Sequence, residues 1–513
     1  MRPLPSLLCI LALPALAALP ALPDAGHAAA TRTAPRSAKV TAAAVEARVR
    51  RIEQGLLPAN IVMGDPPQRM ALLERMKVHG VPGVSIAVIN NYRVEWAKGY
   101  GVRIPGSNEP VGTDTLFQAA SISKPVTAVA ALRLVEQGRL SLDEDVNRRL
   151  RSWRVPENEF TRVRKVTLRG ILTHTAGFRV MFYPGTPTSQ PIPSTLDLLE
   201  GRQGGPDGPI RVVREPGTEF EYSGAGFIVL QQLLEDVTRK PFVGLMDDLV
   251  FGRVGMRNST FAQVHGPEMQ ARLAAGTERG KPVAGGWLLK PNMASGGIWT
   301  TASDIAAFAI ELQKAVAGRR NRLLRPAMAR LMMTPWEASQ RPDARAIFGG
   351  KRGLGIEVGG EAATFHFSHG GDNEGYRSQM IALGDGRGVV ILINGGAQGL
   401  IREIVRGVAT EYGWPIPEYL PIQRTVASVQ ESVLRRYVGN YEWPEGHNPR
   451  TGPITIENGQ LVVEGQPLRP ESDTRFFTDG GATYTFVTDA AGKAEGFRFE
   501  VPGLTLVARK IED

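Results

Sequence analysis

Along the first four hundred positions, apolar residues fall into short unbroken runs and longer stretches of helical spacing, separated by turn residues. Val81-Pro82-Gly83-Val84-Ser85-Ile86-Ala87-Val88-Ile89 follows a Pro-Gly break and reads as a buried strand. Asn90-Asn91 supplies a turn, and 92–100 alternates as the return strand of a hairpin. Val126, Val129, Ala130, Leu132 and Val135 keep helical spacing until Gly138 stops them. Pro125 is compatible with that helix because it falls in the first turn, where amides have no internal partner. The same reading predicts helices at 166–172, 227–237, 302–317 and 399–412. Strands are predicted at 366–368 and 377–383, flanking Gly370-Gly371, and at 388–394. Strands, a long helical insertion, then strands again predict an α+β fold: an antiparallel sheet flanked by helices.

The pattern changes after a Pro-rich break at 415–421 and a short helical stretch near 426–437. Ile454-Thr455-Ile456 and Leu461-Val462-Val463 flank Asn458-Gly459, the signature of a tight hairpin. Further short strands at 484–488, 496–500 and 504–508 complete a small C-terminal all-β barrel. The expected organisation is a leader at 1–30, a flexible N-terminal segment at 31–58 carrying a short helix near 45–56, a principal domain at 59–415, a linker at 416–429 and the barrel at 430–513.

Composition refines this picture. A chain of 513 residues with 42% apolar content supports two or three packed domains. Arg2, the apolar run from Leu7 to Leu19 broken only by Pro14, and Ala28-Ala29-Ala30 have the layout of an export signal, so a periplasmic or secreted protein is expected. No later segment has about 18 uninterrupted apolar residues, so no membrane insertion is expected once the leader is removed. The single cysteine, Cys9, lies in the leader, which leaves the mature chain without a disulfide or a thiolate metal site. The formal charge is +9. From Glu431 onward nine Lys/Arg face thirteen Asp/Glu, so a basic body precedes an acidic tail. The basic residues are scattered and accompany no nucleic-acid motif, which argues against nucleic acid as a partner. The charge reads as a solvated, arginine-rich surface, with attraction to an anionic envelope or substrate as the alternative.

The candidate chemistry centres on Ser121-Ile122-Ser123-Lys124 at the head of the 126–135 helix. Residues i and i+3 share a helix face, which brings an amine to a hydroxyl in an apolar surround. A partly desolvated lysine can activate a serine nucleophile. The free amides and dipole of a helix start favour the oxyanion that would form beside it. Tyr222-Ser223-Gly224 precedes another apolar helix, where a phenol can point into a cleft and a nearby cation could lower its pKa. His369-Gly370-Gly371 lies between two strands, and its glycines would let a substrate backbone approach a strand edge. His174, in Leu172-Thr173-His174-Thr175-Ala176-Gly177, reads as a structural residue tying down a helix end. There is no Gly-x-Ser-x-Gly elbow and no His-Glu-x-x-His. His366 and His369, three apart on a strand, face opposite sides and cannot share a zinc ion.

These pieces together resemble the serine beta-lactamase and penicillin-binding protein superfamily, in its class C-like branch of D-Ala-D-Ala carboxypeptidases, D-aminopeptidases and carboxylesterases. The resemblance covers roughly residues 60 to 415 and includes Ala294-Ser295-Gly296-Gly297 with Thr300-Thr301-Ala302-Ser303-Asp304. The tail resembles the lipocalin-like β domain that follows some relatives. The resemblance implies Ser121 as nucleophile and Lys124 and Tyr222 sharing the general-base work. It implies an oxyanion hole from the amides of Ser121 and Asp372, and substrate contacts from His369, Gly370 and Gly371. No cofactor is implied, and the expected substrate is a small molecule or peptide, with the cell wall as one source the resemblance suggests. Two departures stand out. Gly224 replaces the asparagine that usually ends the tyrosine motif. His369 replaces the lysine of many relatives and is cationic only when protonated, so Arg377 is the expected fixed charge for a substrate carboxylate. The expected function is hydrolysis of esters, amides or D-amino-acid peptides through an acyl-enzyme. The alternative is a non-catalytic envelope sensor of the same fold.

Overall fold

A computed structural model describes residues 41–511 apart from 67, 180–182, 203–207, 279, 338–350, 444–452 and 502–503. The leader and the rest of 1–40 lie outside the described residues. Seven strands form the main sheet: β1 (Gly83–Asn90), β2 (Arg93–Gly101), β3 (Lys351–Arg352), β4 (Glu357–Gly359), β5 (His366–Asn373), β6 (Tyr376–Leu383) and β7 (Gly388–Ile393). Their spatial order is β3-β4-β5-β6-β7-β1-β2, with the pairings antiparallel from β3 through to β2.

Both faces of this sheet are covered, which explains why β1 and β7 read as unbroken apolar runs rather than alternating ones. Ala87, Ile89, Val390, Leu392, Met380 and Ala382 face one core, shared with helices Ser123–Glu136, Gly224–Thr238 and Ala302–Val316. Val84, Ile86, Val88, Ile381, Leu383, Ile391 and Ile393 face the other, packed against Ala42–Glu53, Leu72–Val78 and Gln398–Glu411. The 31–58 segment is therefore not loose over its described part. From Ala42 it is a helix whose Val49 and Ile52 are buried in that second core. The strand expected at 366–368 extends to Asn373. The two glycines stay in register, with His369 opposite Met380 and Gly371 opposite Ser378.

The C-terminal unit is an eight-stranded antiparallel sheet, nearly closed by a bridge between Gly439 and Ile454. Its Asn458-Gly459 turn has φ of +50° and +77°, the left-handed pair a two-residue hairpin of this twist requires. Strands at Asn440–Glu442, Gln466–Pro470 and Arg475–Phe477 were not expected from the sequence. Tyr437, Tyr441, Phe476, Phe486 and Phe497 fill the interior, and Tyr437 stacks on Phe486 at 4.0 Å between ring centres. The barrel is fastened to the body through the 416–429 stretch. Ile422–Arg424 pairs in parallel with Asn60–Val62. The buried Arg424 guanidinium donates to Thr483 Oγ1 (2.7 Å) and Asn60 Oδ1 (3.1 Å) and ion-pairs with Glu471.

Candidate active site

Ser121 sits on a single 3₁₀ turn, Ala120–Ile122, that runs into helix Ser123–Glu136. The turn is tight. Ala120 has φ +48°, an uncommon conformation for alanine and a local strain held by its surroundings. Ser123 Oγ donates to Ala120 O at 2.6 Å and accepts from the Ile298 amide at 3.0 Å, pinning the turn to the segment after Met293–Gly296. From the sheet side Ser378 Oγ donates to Ala119 O at 2.8 Å. Gly371 explains how closely β5 approaches: a Cβ there would lie 2.2 Å from Ser378 Oγ and 2.3 Å from Ala119 O. Its lack of a side chain therefore serves the packing of strand against nucleophile turn. A Cβ at Gly370 would meet nothing nearer than 3.4 Å.

Lys124 is 3% exposed, and its Nζ donates to Ser121 Oγ at 3.0 Å and to Ser295 O at 2.8 Å. Burial, aided by the Arg352 charge, lowers its pKa to about 7. Tyr222 is buried, hydrogen-bonds Ser121, and places its ring centre 4.8 Å from Lys124 Nζ. The expectation that a cation would lower the phenol's pKa fails on balance. Burial outweighs the bond to Ser121 and the charge of Arg352 and raises it to about 12. The structure thus brings Ser121, Lys124 and Tyr222 into one contact, with the amine poised to titrate near neutrality and the phenol protonated there.

Two histidines frame the phenol. The His174 ring lies 4.4 Å from that of Tyr222, and its Nδ1 accepts from the Ser223 amide at 3.1 Å. His174, just past the end of helix Leu168–Leu172, therefore ties that helix end to the start of helix Gly224–Thr238, whose N-cap is Ser223. His369 is 2% exposed, and its Nδ1 donates to Gly370 O at 2.6 Å. Burial and the neighbouring cations Arg352 and Lys124 hold it neutral, well below the ordinary imidazole pKa. It is therefore not the substrate-facing cation that the lysine of many relatives would be.

Arg377 does not occupy the role expected of it. Strand alternation puts it with Asp372 on the sheet face away from Ser378 and the nucleophile turn. There its guanidinium ion-pairs with Asp372 Oδ1 at 2.5 Å and donates to Asn373 O and Tyr376 O. The cation inside the site is Arg352, 3% exposed, paired with Glu357 at 2.7 Å and 5.6 Å from the Tyr222 ring centre. Sequence reasoning passed over it because a lone arginine on a two-residue strand carries no periodic or motif signal. Among the described residues, no three His, Cys, Asp or Glu side chains gather as a metal site, and no helix is long and apolar enough to cross a membrane.

Residues 70–404 match the beta-lactamase family model, so the chain belongs to the beta-lactamase family. Among curated proteins it is similar to Esterase EstB of Burkholderia gladioli (31% identical over 218 residues, 41% of this chain and 53% of the relative). It is similar also to Protein flp of Staphylococcus aureus MW2 (25% over 191 residues, 36% of each) and Protein Rv1367c of Mycobacterium tuberculosis H37Rv (29% over 262 residues, 46% and 63%). The chain thus spans between about one third and two thirds of the length of these relatives. Its fold matches the octameric penicillin-binding protein homologue from Pyrococcus abyssi (TM-score 0.58, 20% identity, 85% of this chain and 98% of that one). It also matches the D-alanine carboxypeptidase AmpC from Burkholderia cenocepacia (0.53, 19%, 72% and 99%).

Proposed function

We propose that this protein is an exported serine hydrolase that forms an acyl-enzyme on Ser121, with esters as its preferred substrates. The observation that carries this is Lys124 Nζ at 3.0 Å from Ser121 Oγ, buried and tuned to about 7, so that a large share of the amine is unprotonated at neutral pH. As Oγ attacks the ester carbonyl carbon, Lys124 takes the hydroxyl proton. The developing oxyanion is held by the amides of Ser121 and Asp372. The carbon–oxygen bond to the leaving group breaks, and the proton passes from Lys124 through the Tyr222 hydroxyl to the departing alkoxide. A water molecule then attacks the acyl carbon, gives its proton to Lys124, and the serine leaves with that proton. A phenol held near 12 suits this relay as a donor, with the amine as base.

Ester preference rests on three points. His369 is neutral, Gly224 offers no side-chain amide to a peptide substrate, and the 31% identical relative is named an esterase. The leader supports a periplasmic or secreted location. The test is labelling with a fluorophosphonate and hydrolysis of p-nitrophenyl esters. Mass spectrometry is expected to place the adduct on Ser121, and Ser121→Ala is expected to abolish both turnover and labelling. Turnover that survives in Ser121→Ala overturns the proposal, and its complete absence in the wild type favours the non-catalytic sensor.

A further inference from the structure

The connection between helices Ala302–Val316 and Pro326–Met332 runs through Gly318-Arg319-Arg320-Asn321-Arg322-Leu323-Leu324-Arg325. Gly318, at φ +69°, turns the chain out of the first helix, and Pro326 opens the second. Between them the main chain is held from inside. The Arg319 amide donates to Lys314 O at 2.7 Å, the Arg322 amide to Glu311 Oε2 at 2.6 Å, and the Arg325 amide to Glu136 Oε1 at 2.8 Å. Asn321 Oδ1 accepts from the amides of Leu323 and Leu324, and both leucines are buried. With the backbone tied down and the leucines inward, Arg319, Arg320, Arg322 and Arg325 are left exposed.

These four arginines and Arg133 line a cavity of about 440 Å³. Arg133 comes from the last turn of helix Ser123–Glu136. Its Nη1 donates to Leu323 O and, at 3.3 Å, to Arg322 O, while its buried Nε has no hydrogen-bond partner. The Arg319 guanidinium carbon lies 4.3 Å from the Tyr92 ring centre. Among the described residues no carboxylate forms an ion pair with any of the five. Glu136 is the acidic residue on the wall, and its Oε1 is engaged by the Arg325 amide. Arginines elsewhere, such as Arg75, Arg169 and Arg424, do have carboxylate partners. Five guanidinium groups gathered against one carboxylate repel one another at a cost to the fold. Burial and the Arg253 charge together push the Arg133 pKa down. An anion in the cavity relieves that repulsion.

The ligand chemistry follows from charge density. A guanidinium fork matches phosphate in bidentate geometry. Five forks in one cavity call for several negative charges in a small volume, and a phosphate monoester supplies about 1.5 to 2 at neutral pH. We propose that this arginine loop is a binding site for a ligand bearing more than one phosphate group, either a soluble phosphoryl compound or the phosphorylated headgroups of a lipid surface. The site is separate from the proposed catalytic centre. Ser121 lies at the head of the helix whose last turn carries Arg133, so ~20 Å of helix divides them.

The test is titration calorimetry of inorganic diphosphate into the full chain. A second arm is flotation with phosphatidylcholine vesicles, with and without phosphatidic acid. Binding is expected in at least one arm, and Arg320→Gln/Arg322→Gln is expected to weaken it at least about tenfold through the loss of two charge-assisted contacts. Arg148→Gln/Arg154→Gln removes the same charge from exposed arginines outside the cavity and is expected to stay within about twofold of the wild type. Arg325→Gln probes the same cavity with a single exposed substitution and is expected to weaken binding as well, which keeps the test decisive should the double variant lose its fold. Diphosphate binding without vesicle binding assigns a soluble ligand; vesicle binding that needs phosphatidic acid, without diphosphate binding, assigns a lipid surface. No binding in either arm, equal weakening by the two double variants, or binding unchanged in the cavity variants overturns the inference. Ser121→Ala is expected to bind as the wild type does, so failure of the hydrolase reading leaves this site standing.

Discussion

The lysine at the centre of the proposed mechanism has a thermodynamic signature that can be measured without a substrate. An ordinary lysine titrates near 10.5, and Lys124 in the folded chain near 7. Between those values the unfolded chain holds one proton more than the folded one at this position. Linkage then makes stability rise with pH by about 1.4 kcal/mol per unit from this group alone. Below pH 7 the folded protein carries the full cost of an ammonium enclosed with Arg352, and the cost fades as pH climbs toward 10. Lys124→Met keeps the chain length and removes the titration. Groups out of reach of Lys124 cancel in the difference between the two proteins, and His174 and His369, which its charge also depresses, are held down chiefly by burial, which the substitution keeps. Lys124→Met is therefore expected to gain on the wild type at low pH, with the gain shrinking by about 2 kcal/mol between pH 7 and pH 9. Urea denaturation at pH 6, 7, 8 and 9, followed by tryptophan fluorescence, gives the two curves. Parallel curves would mean that Lys124 stays protonated to high pH in the folded state, and it could not then serve as a base near neutrality.

Other substitutions probe the scaffold around that amine. Gly371→Ala must push β5 away from the Ser121 turn, so it is expected to cost about 2 kcal/mol and at least ~100-fold in kcat/KM, whereas Gly370→Ala has room and should change neither appreciably; equal effects at the two positions would refute the close-approach argument. Arg352→Gln removes a charge that depresses Lys124, so the acid limb of the pH–kcat/KM profile should move up, and Glu357→Gln, which leaves Arg352 uncompensated, should move it down; shifts of the same sign would exclude that electrostatic role. Arg424→Ala removes the buried guanidinium that joins Thr483, Asn60 and Glu471, although Glu471 keeps Arg475 and Asn60 keeps Thr478 O, so stability should fall by about 2 kcal/mol in thermal melts while ester turnover at 25 °C stays within twofold; an unchanged melt would show that the remaining contacts fasten the barrel.

Much of the architecture was legible because local periodicity and burial agree. The helices at 302–317 and 399–412 match observed helices Ala302–Val316 and Gln398–Glu411 within a residue at each end. Asn458-Gly459 marked its hairpin because few residues other than glycine and asparagine readily adopt the left-handed pair that it uses. The barrel strands that escaped notice, such as Gln466–Pro470, carry prolines and charges that blur alternation. The nucleophile and its lysine could be picked out because their relation is three residues long. Arg352 could not, because what distinguishes it is the set of groups brought around it from distant parts of the chain.

The same distinction explains the two histidines and the misplaced arginine. Strand parity alone turns Arg377 to the reverse face, since Gly371 must face the nucleophile turn and its partner Ser378 faces it too. Once Arg377 points away and His369 is neutral, no second lysine or protonated imidazole stands beside Lys124, and Arg352 is left as the neighbouring cation that lowers its pKa. That guanidinium is held by Glu357 from the adjacent strand, so the tuning of the proposed base depends on a two-residue hairpin pairing at the edge of the sheet. Chemistry that reads as a three-residue motif in the sequence is in this way conditioned by an ion pair more than two hundred positions further along the chain.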